Sequence, residues 1–369
     1  MGIFSSKTFN PERDIPDLTG KVALVTGGNA GIGHATAEHL ARRGAKVYMA
    51  ARNKEKAEAA IAKLKEVGLE QVVWLELDLS DPRNAKTAAK EFMSKESRLD
   101  ILIHNAAVLF EPYEILADGV QRIMVVNLIS PFVLTRELVP VLKNTASQPE
   151  SDVRVVVISS DGHKLVGGKH SFATIEDLND DCSYSWIPSF ARYCMSAARL
   201  QPDAYKRDAL FTHLLLGLSK LTNVLYASEL NRRFSSSADP VEPKIMAISV
   251  HPGFVDTFSQ KPEISRLHLS PLVGFMVSPF AAAPEHGAYN TVFAATAPVV
   301  RKEQEKYGGG YLAPVGRLVR PDGSSWSWLW EKEVTDSKGK EEIEEDRELD
   351  ERGRELWDTV EKFLKEKGI

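Results

Sequence analysis

The chain has 369 residues, 43% hydrophobic and 26% charged, with a formal net charge of −5. This is the composition of an ordinary globular protein, long enough for one large α/β domain with an appendage or for two small domains. The mild acidity excludes the basic footprint of a nucleic-acid binder. The two cysteines, Cys182 and Cys194, exclude a disulfide framework and point to a reducing, cytoplasmic setting.

Residues 1–17 are polar, contain Pro11 and Pro16 and read as a flexible tail. They lack the basic-then-apolar layout of a secretory signal, and no apolar run along the chain reads as a membrane span. "MGIFSSK" fits M-G-x-x-x-[ST] through Gly2 and Ser6. A single acyl chain at Gly2 would anchor weakly, and an unmodified tail is the alternative.

From residue 18, apolar β-rich runs alternate with helical patterns. The predicted strands are 21–26, 46–51, 72–77, 100–105, 154–159 and 244–250, with a short edge strand at 310–314. Helices are predicted at 31–43, 53–67 and 82–95. Strands apolar on both faces, alternating with helices, predict a doubly wound α/β fold: a parallel sheet covered by helices on both sides. Residues 18–320 form this domain. Residues 161–210 are irregular. Residues 257–284 hold four prolines among apolar residues and suit a lid over an apolar pocket. Residues 321–369 are a charged extension in which Leu349, Leu356, Val360 and Phe363 recur at helical spacing, predicting a docked helix. Trp326, Trp328 and Trp330 share one side of an extended segment; packing, a dimer contact or a membrane contact would each account for them.

"TGGNAGIGHAT" (26–36) follows the first strand directly. A tight strand-to-helix turn without Cβ atoms lets backbone N–H groups approach a pyrophosphate, and the helix start adds its positive dipole end. The strand before and the helix after give these glycines weight that bare spacing lacks.

With its T-G-x-x-x-G-x-G spacing the sequence resembles the short-chain dehydrogenase/reductase superfamily, over about residues 18–315, with the nearest look to retinol-dehydrogenase-like members of fungal metabolism. The resemblance implies a Rossmann-type fold and an NAD(P)-dependent oxidoreductase. It places the cofactor on Gly27, Asn29, Gly31, Ile32 and Gly33, with Asp78 at the adenine and Asn105, in "HNAA" where the family has N-N-A-G, beside the cofactor. Asn127 matches the asparagine that holds a proton-relay water. Val255 and Thr257, in "HPGFVDT", match contacts to the nicotinamide end. After the second strand stands Arg52 rather than an acid. An acid would accept from a ribose 2′-OH, whereas arginine suits a 2′-phosphate. Lys54 and Lys56 add positive charge, so NADP(H) is the expected cofactor, the alternative being a solvated basic turn. No metal site is read.

Hydride transfer to a carbonyl needs a proton for the developing alkoxide. A tyrosine delivers it when a lysine cation lowers its pKa, and Y-x-x-x-K keeps the two on one helical face. By family spacing the serine that binds the substrate oxygen is Ser160, with Ser159 the lesser choice. Lys220 supplies the lysine and a cofactor contact. Four residues before it stands Leu216, which cannot transfer a proton; His213 is two turns away.

A displaced tyrosine is found upstream. "SFARY" ends at Tyr193, 27 residues before Lys220 where the motif has four, an excess of 23 residues or 69 nucleotides. Cys194-Met195-Ser196 can be encoded with a donor-like GTATGAGT and Leu216-Gly217 with an acceptor-like TAG. Residues 194–217 are then a translated retained intron or a gene-prediction error; the alternative is a genuine insertion, in which 203–234 form one helix with Leu216 in the tyrosine position. The sequence therefore supports two functions. One is an NADP(H)-dependent oxidoreductase interconverting a carbonyl and an alcohol on a small apolar metabolite, in secondary metabolism, through Ser160, Tyr193, Lys220 and Asn127. The other is a dinucleotide-binding protein of the same fold without redox activity. Oligomeric state is left open.

Overall fold

The computed structural model describes residues 9–109, 113–166, 170–180, 204–253, 284–319 and 340–369, with backbone only for 165, 204–215, 284 and 340–346. Eight strands form one sheet in the order β3-β2-β1-β4-β5-β6-β7-β8. They are β1 (Val22–Thr26), β2 (Lys46–Ala51), β3 (Val72–Glu76), β4 (Ile101–His104), β5 (Val153–Ile158), β6 (Ile245–Val250), β7 (Tyr311–Ala313) and β8 (Arg317–Val319). All neighbours are parallel except β7 and β8, an antiparallel hairpin. The 310–314 run was expected at the edge. Instead β7 is interior, and β8, which carries too few apolar residues to show a period, is the edge.

The main helices are α1 (Gly31–Arg42), α2 (Lys54–Glu66), α3 (Pro82–Lys95), α4 (Arg122–Ala146), α5 (Ala204–Ser235), α6 (Pro284–Thr296) and α7 (Lys340–Glu366). Local chemistry sets their starts. Asn53 caps α2 by accepting from Lys56 N, and Asp81 caps α3 with Pro82 in the first turn, where its missing N–H costs nothing. The central strands β1, β4, β5 and β6 are buried throughout, so they need apolar side chains on both faces. One core layer packs α3, α4, α5 and α7 on one face of the sheet. The other packs α1, α2 and α6 on the opposite face.

The N-terminal expectation is corrected. The tail expected to run to residue 17 is packed from residue 9 onward. Pro11–Asp14 is a short helix capped by Asn10, Ile15 is 1% exposed, and Phe9 meets Phe293 edge-on. Three scattered apolar anchors, Phe9, Ile15 and Leu18, do this within a polar composition. Helix α4 is long and apolar enough by composition to cross a membrane, but it is a mostly buried core helix. The expected lid at 257–284 lies, but for Pro284, outside the described residues, as do the tryptophans at 326–330 and Gly2.

Candidate active site

Parallel strands deliver their C-terminal ends to one edge, and a ligand crevice opens where the strand order reverses, here between β1 and β4. Thr26 closes β1. Its Oγ1 accepts from Asn105 N (3.0 Å) and Ala106 N (2.9 Å), tying the ends of β1 and β4 together. Asn105 Nδ2 returns the bond to Thr26 O at 2.8 Å. Gly27 and Gly31 take the left-handed backbone, φ +64° and +55°. A Cβ on Gly33 would lie 2.4 Å from both Asn105 Nδ2 and Gly27 O, whereas beside Gly31 nothing lies within 4 Å. No side chain caps the first N–H groups of α1. Asn29 and Ile32 stand half-buried at the mouth of this turn. Open space at an uncapped helix start, over tightly closed backbone, fits a pyrophosphate.

The neighbouring strand ends extend the same edge. Arg52, just past β2, is exposed and makes no ion pair or hydrogen bond with any described residue. Lys54 lies 3.9 Å from Glu58 and over the Trp74 ring. Asp78 follows β3 and accepts from Ser80 N at 3.0 Å, which fixes its carboxylate in the turn.

Past β5 the two serines divide. Ser159 is buried and donates its hydroxyl to Lys220 O at 2.7 Å. Ser160 is half-buried, and its Oγ accepts from Gly162 N at 3.1 Å, which leaves its hydroxyl proton available to an oxygen in the crevice. Lys220 is 5% exposed, and its Nζ donates to Ile158 O at 3.0 Å. Burial pushes its pKa down to about 8. α5 reaches the serine turn so closely that a Cβ on Gly217 would lie 2.6 Å from Gly162 O. Leu216, one turn before Lys220, is half-buried and packs on the core. Tyr193, Val255 and Thr257 lie outside the described residues, as does the side chain of His213.

Asn127 sits in a π-helical stretch of α4, Val125–Ile129. Such turns mark functional sites because they widen the backbone ladder. Its Oδ1 accepts from Val108 N (2.9 Å), and its Nδ2 donates to Val108 O (3.1 Å) and Ser219 Oγ (3.0 Å). The side chain therefore bridges the segment after β4 to the residue before Lys220.

A model of the short-chain dehydrogenase family matches residues 21–172. A short-chain dehydrogenase/reductase of Armillaria gallica is 39% identical over 314 residues, covering 85% of this chain and 89% of that protein. The chain belongs to the short-chain dehydrogenase/reductase family. A second member, from Colletotrichum higginsianum, is 40% identical over 313 residues, covering 83% of this chain and 71% of its own. An uncharacterized Mycobacterium paratuberculosis protein of known crystal structure superposes with a TM-score of 0.59 at 26% identity, covering 97% and 98% of the two chains. The Pseudomonas aeruginosa RhlG/NADP active-site complex shares the fold at 20% identity and a TM-score of 0.55, covering 82% and 98%. As a short-chain dehydrogenase/reductase the protein is an NAD(P)-dependent oxidoreductase, and its eight-stranded sheet is that family's Rossmann-type architecture.

Sequence reasoning missed one group at this site. Asp161, His163, His251 and Tyr311 converge behind Ser160. Titratable residues flanking two motifs, in "SSDGH" and "HPG", were the available signal.

Proposed function

We propose that the protein interconverts a carbonyl and an alcohol on a small apolar metabolite using NADP(H). The observation that carries the cofactor choice is Arg52, an exposed guanidinium beside the dinucleotide turn without a partner among the described residues, suited to a 2′-phosphate. Gly27, Asn29, Gly31, Ile32, Gly33, Asp78, Asn105, Lys220, Val255 and Thr257 would hold the dinucleotide, which supplies or accepts the hydride when bound. Ser160 donates its free hydroxyl proton to the substrate oxygen. Tyr193 is the acid that protonates the alkoxide. Lys220, charged through neutral pH, stabilises the phenolate left behind. Asn127 supports Lys220 through Ser219 and, in this reading, the proton relay.

A second reading has its own observation: Leu216 occupies the position one turn before Lys220, so the chain binds the dinucleotide and performs no redox step. Two proteins separate the readings, the full chain and one in which residues 194–217 are replaced by a single residue. NADPH binding by both, with turnover of apolar aldehydes and ketones in the shortened chain alone, is the expected result. Equal inactivity of both establishes the second reading. A major transcript encoding residues 194–217 removes the retained-intron account of the split.

A further inference from the structure

We propose that Asp161 is a positioning residue of the redox site, its carboxylate joining the turn that presents Ser160 to the ends of β6 and β7. The proposal rests on the reading of Ser160 as the residue that binds the substrate oxygen.

Asp161 follows Ser160 and opens the short helix Asp161–Leu165. Its Oδ1 accepts from Tyr311 Oη at 2.8 Å and lies 3.2 Å from Lys164 Nζ. Its Oδ2 lies 3.5 Å from His251 Nε2. Tyr311 belongs to interior strand β7 and is 1% exposed, so its hydroxyl is a fixed point. His251 follows β6 and precedes Pro252 and Gly253, at the head of the segment whose Val255 and Thr257 the family resemblance places at the nicotinamide. One carboxylate thus spans the serine turn and two strand ends.

The backbone of Ser160 is held from the other side as well. His163 Nδ1 lies 2.6 Å from Ser160 O, which requires that nitrogen to carry the proton and donate. The His163 ring meets Tyr311 edge-on at 5.1 Å. Burial lowers the pKa of His163 and favours the neutral ring, whose proton on Nδ1 makes this bond. Burial also works against a charged Asp161, yet His251, Lys164 and the Tyr311 hydroxyl hold its pKa below the ordinary carboxylate value. A charged group kept charged in spite of burial can act as a fixed tether. Loosening a group by a fraction of an ångström at a reacting centre costs orders of magnitude in rate, so the tether's effect falls on turnover.

The test uses Asp161→Ala, Asp161→Asn and Tyr311→Phe. In the full chain, amide hydrogen exchange of peptides covering 159–166 and 245–253 should accelerate about 10-fold in Asp161→Ala, less in the other two, with the 27–33 turn unchanged. Exchange that changes within 161–164 alone, or nowhere, overturns the tether. In the shortened chain, kcat should fall about 10–100-fold in Asp161→Ala with the KM for NADPH within about 3-fold, and Asp161→Asn should recover part of it. Unchanged kcat, or a loss shared equally by kcat and NADPH binding, overturns the positioning role. Ser160→Ala distinguishes the two levels. If it leaves turnover intact, or if the shortened chain turns nothing over, the redox reading fails and this role with it. If Ser160→Ala abolishes turnover while Asp161→Ala does not, this proposal alone fails.

Discussion

Thr26, Asn105 and the glycine turn close on one another through hydrogen bonds that each pair one short side chain with neighbouring backbone, between strands that are direct neighbours in the sheet. The contacts around Ser160 and Lys220 come instead from several distant elements: Ile158 O and the Ser159 hydroxyl at the end of β5 meet Lys220, Asn127 on α4 meets Ser219, and Tyr311 on β7 and His251 after β6 meet Asp161. A cradle closed within two adjacent strands depends on a few glycines and on Thr26 and Asn105, and survives large changes elsewhere. A site drawn from distant elements depends on register, and in the proposed reading the 23-residue excess between Tyr193 and Lys220 strikes a site of that kind. The same chain can therefore retain its dinucleotide half while its chemical half is split.

The comparison can be broken most sharply at Tyr193, the proposed proton donor. In the shortened chain, Tyr193→Phe should lower kcat by about 10²–10⁴-fold and leave NADPH binding unchanged; in the full chain the same substitution should change neither. A loss of NADPH binding in both would mean that the halves are not separable. Next in size is Gly33→Val. Its side chain would enter space already filled by Gly27 O and Asn105 Nδ2, so fluorescence titration should show NADPH affinity reduced at least ~10-fold in both chains. Arg52→Glu sharpens the comparison within the cradle. Loss of a charge-assisted bond to phosphate should cost about 10–100-fold in NADPH affinity and little in NADH affinity. Equal weakening of both would assign Arg52 to another role.

The smallest effect is on stability. Native Lys220 has its pKa lowered to about 8, against an ordinary value of 10.5. Between those values the unfolded chain binds more protons than the native one, so stability should rise with pH across that window; below it the burial cost is fully present. Lys220→Met should remove the slope and, net of the bond to Ile158 O, stabilise the fold by roughly 2 kcal/mol at neutral pH, raising the melting temperature by about 2–6 °C. A variant that melts lower would show that the buried cation is better compensated than the bond to Ile158 O implies.

Much of this architecture was legible from residues. Strands buried on both faces are mostly apolar, which made β1, β4, β5 and β6 visible as runs, and a turn that needs left-handed backbone at Gly27 and Gly31 announces itself as glycine. The helix docking of Leu356, Val360 and Phe363 was equally visible, because a long amphipathic helix repeats its signal. What escaped was what does not repeat. Phe9 and Ile15 are single anchors in polar surroundings, and β8 is three residues long. The division of labour between Ser159 and Ser160 depends on which hydroxyl meets Lys220 O, a contact across 61 residues of chain. Asp161, His251 and Tyr311 meet through sheet order, which no local pattern encodes.

The last described helix, α7, lies on α5, the helix that carries Lys220. Trp357 packs on Phe132 and Tyr226 under the Arg233 guanidinium, Gly353 lets the two backbones approach, and Arg352 donates to His170 O past the serine turn. During synthesis this brace emerges after everything it supports. The phosphate cradle, complete once β4 has formed, precedes it by more than two hundred residues. A nascent chain can thus acquire its dinucleotide-binding turn long before the outer face of α5 is covered, and premature termination ahead of residue 340 would leave that face, with Leu225, Tyr226 and Leu230, open to chaperones and proteases.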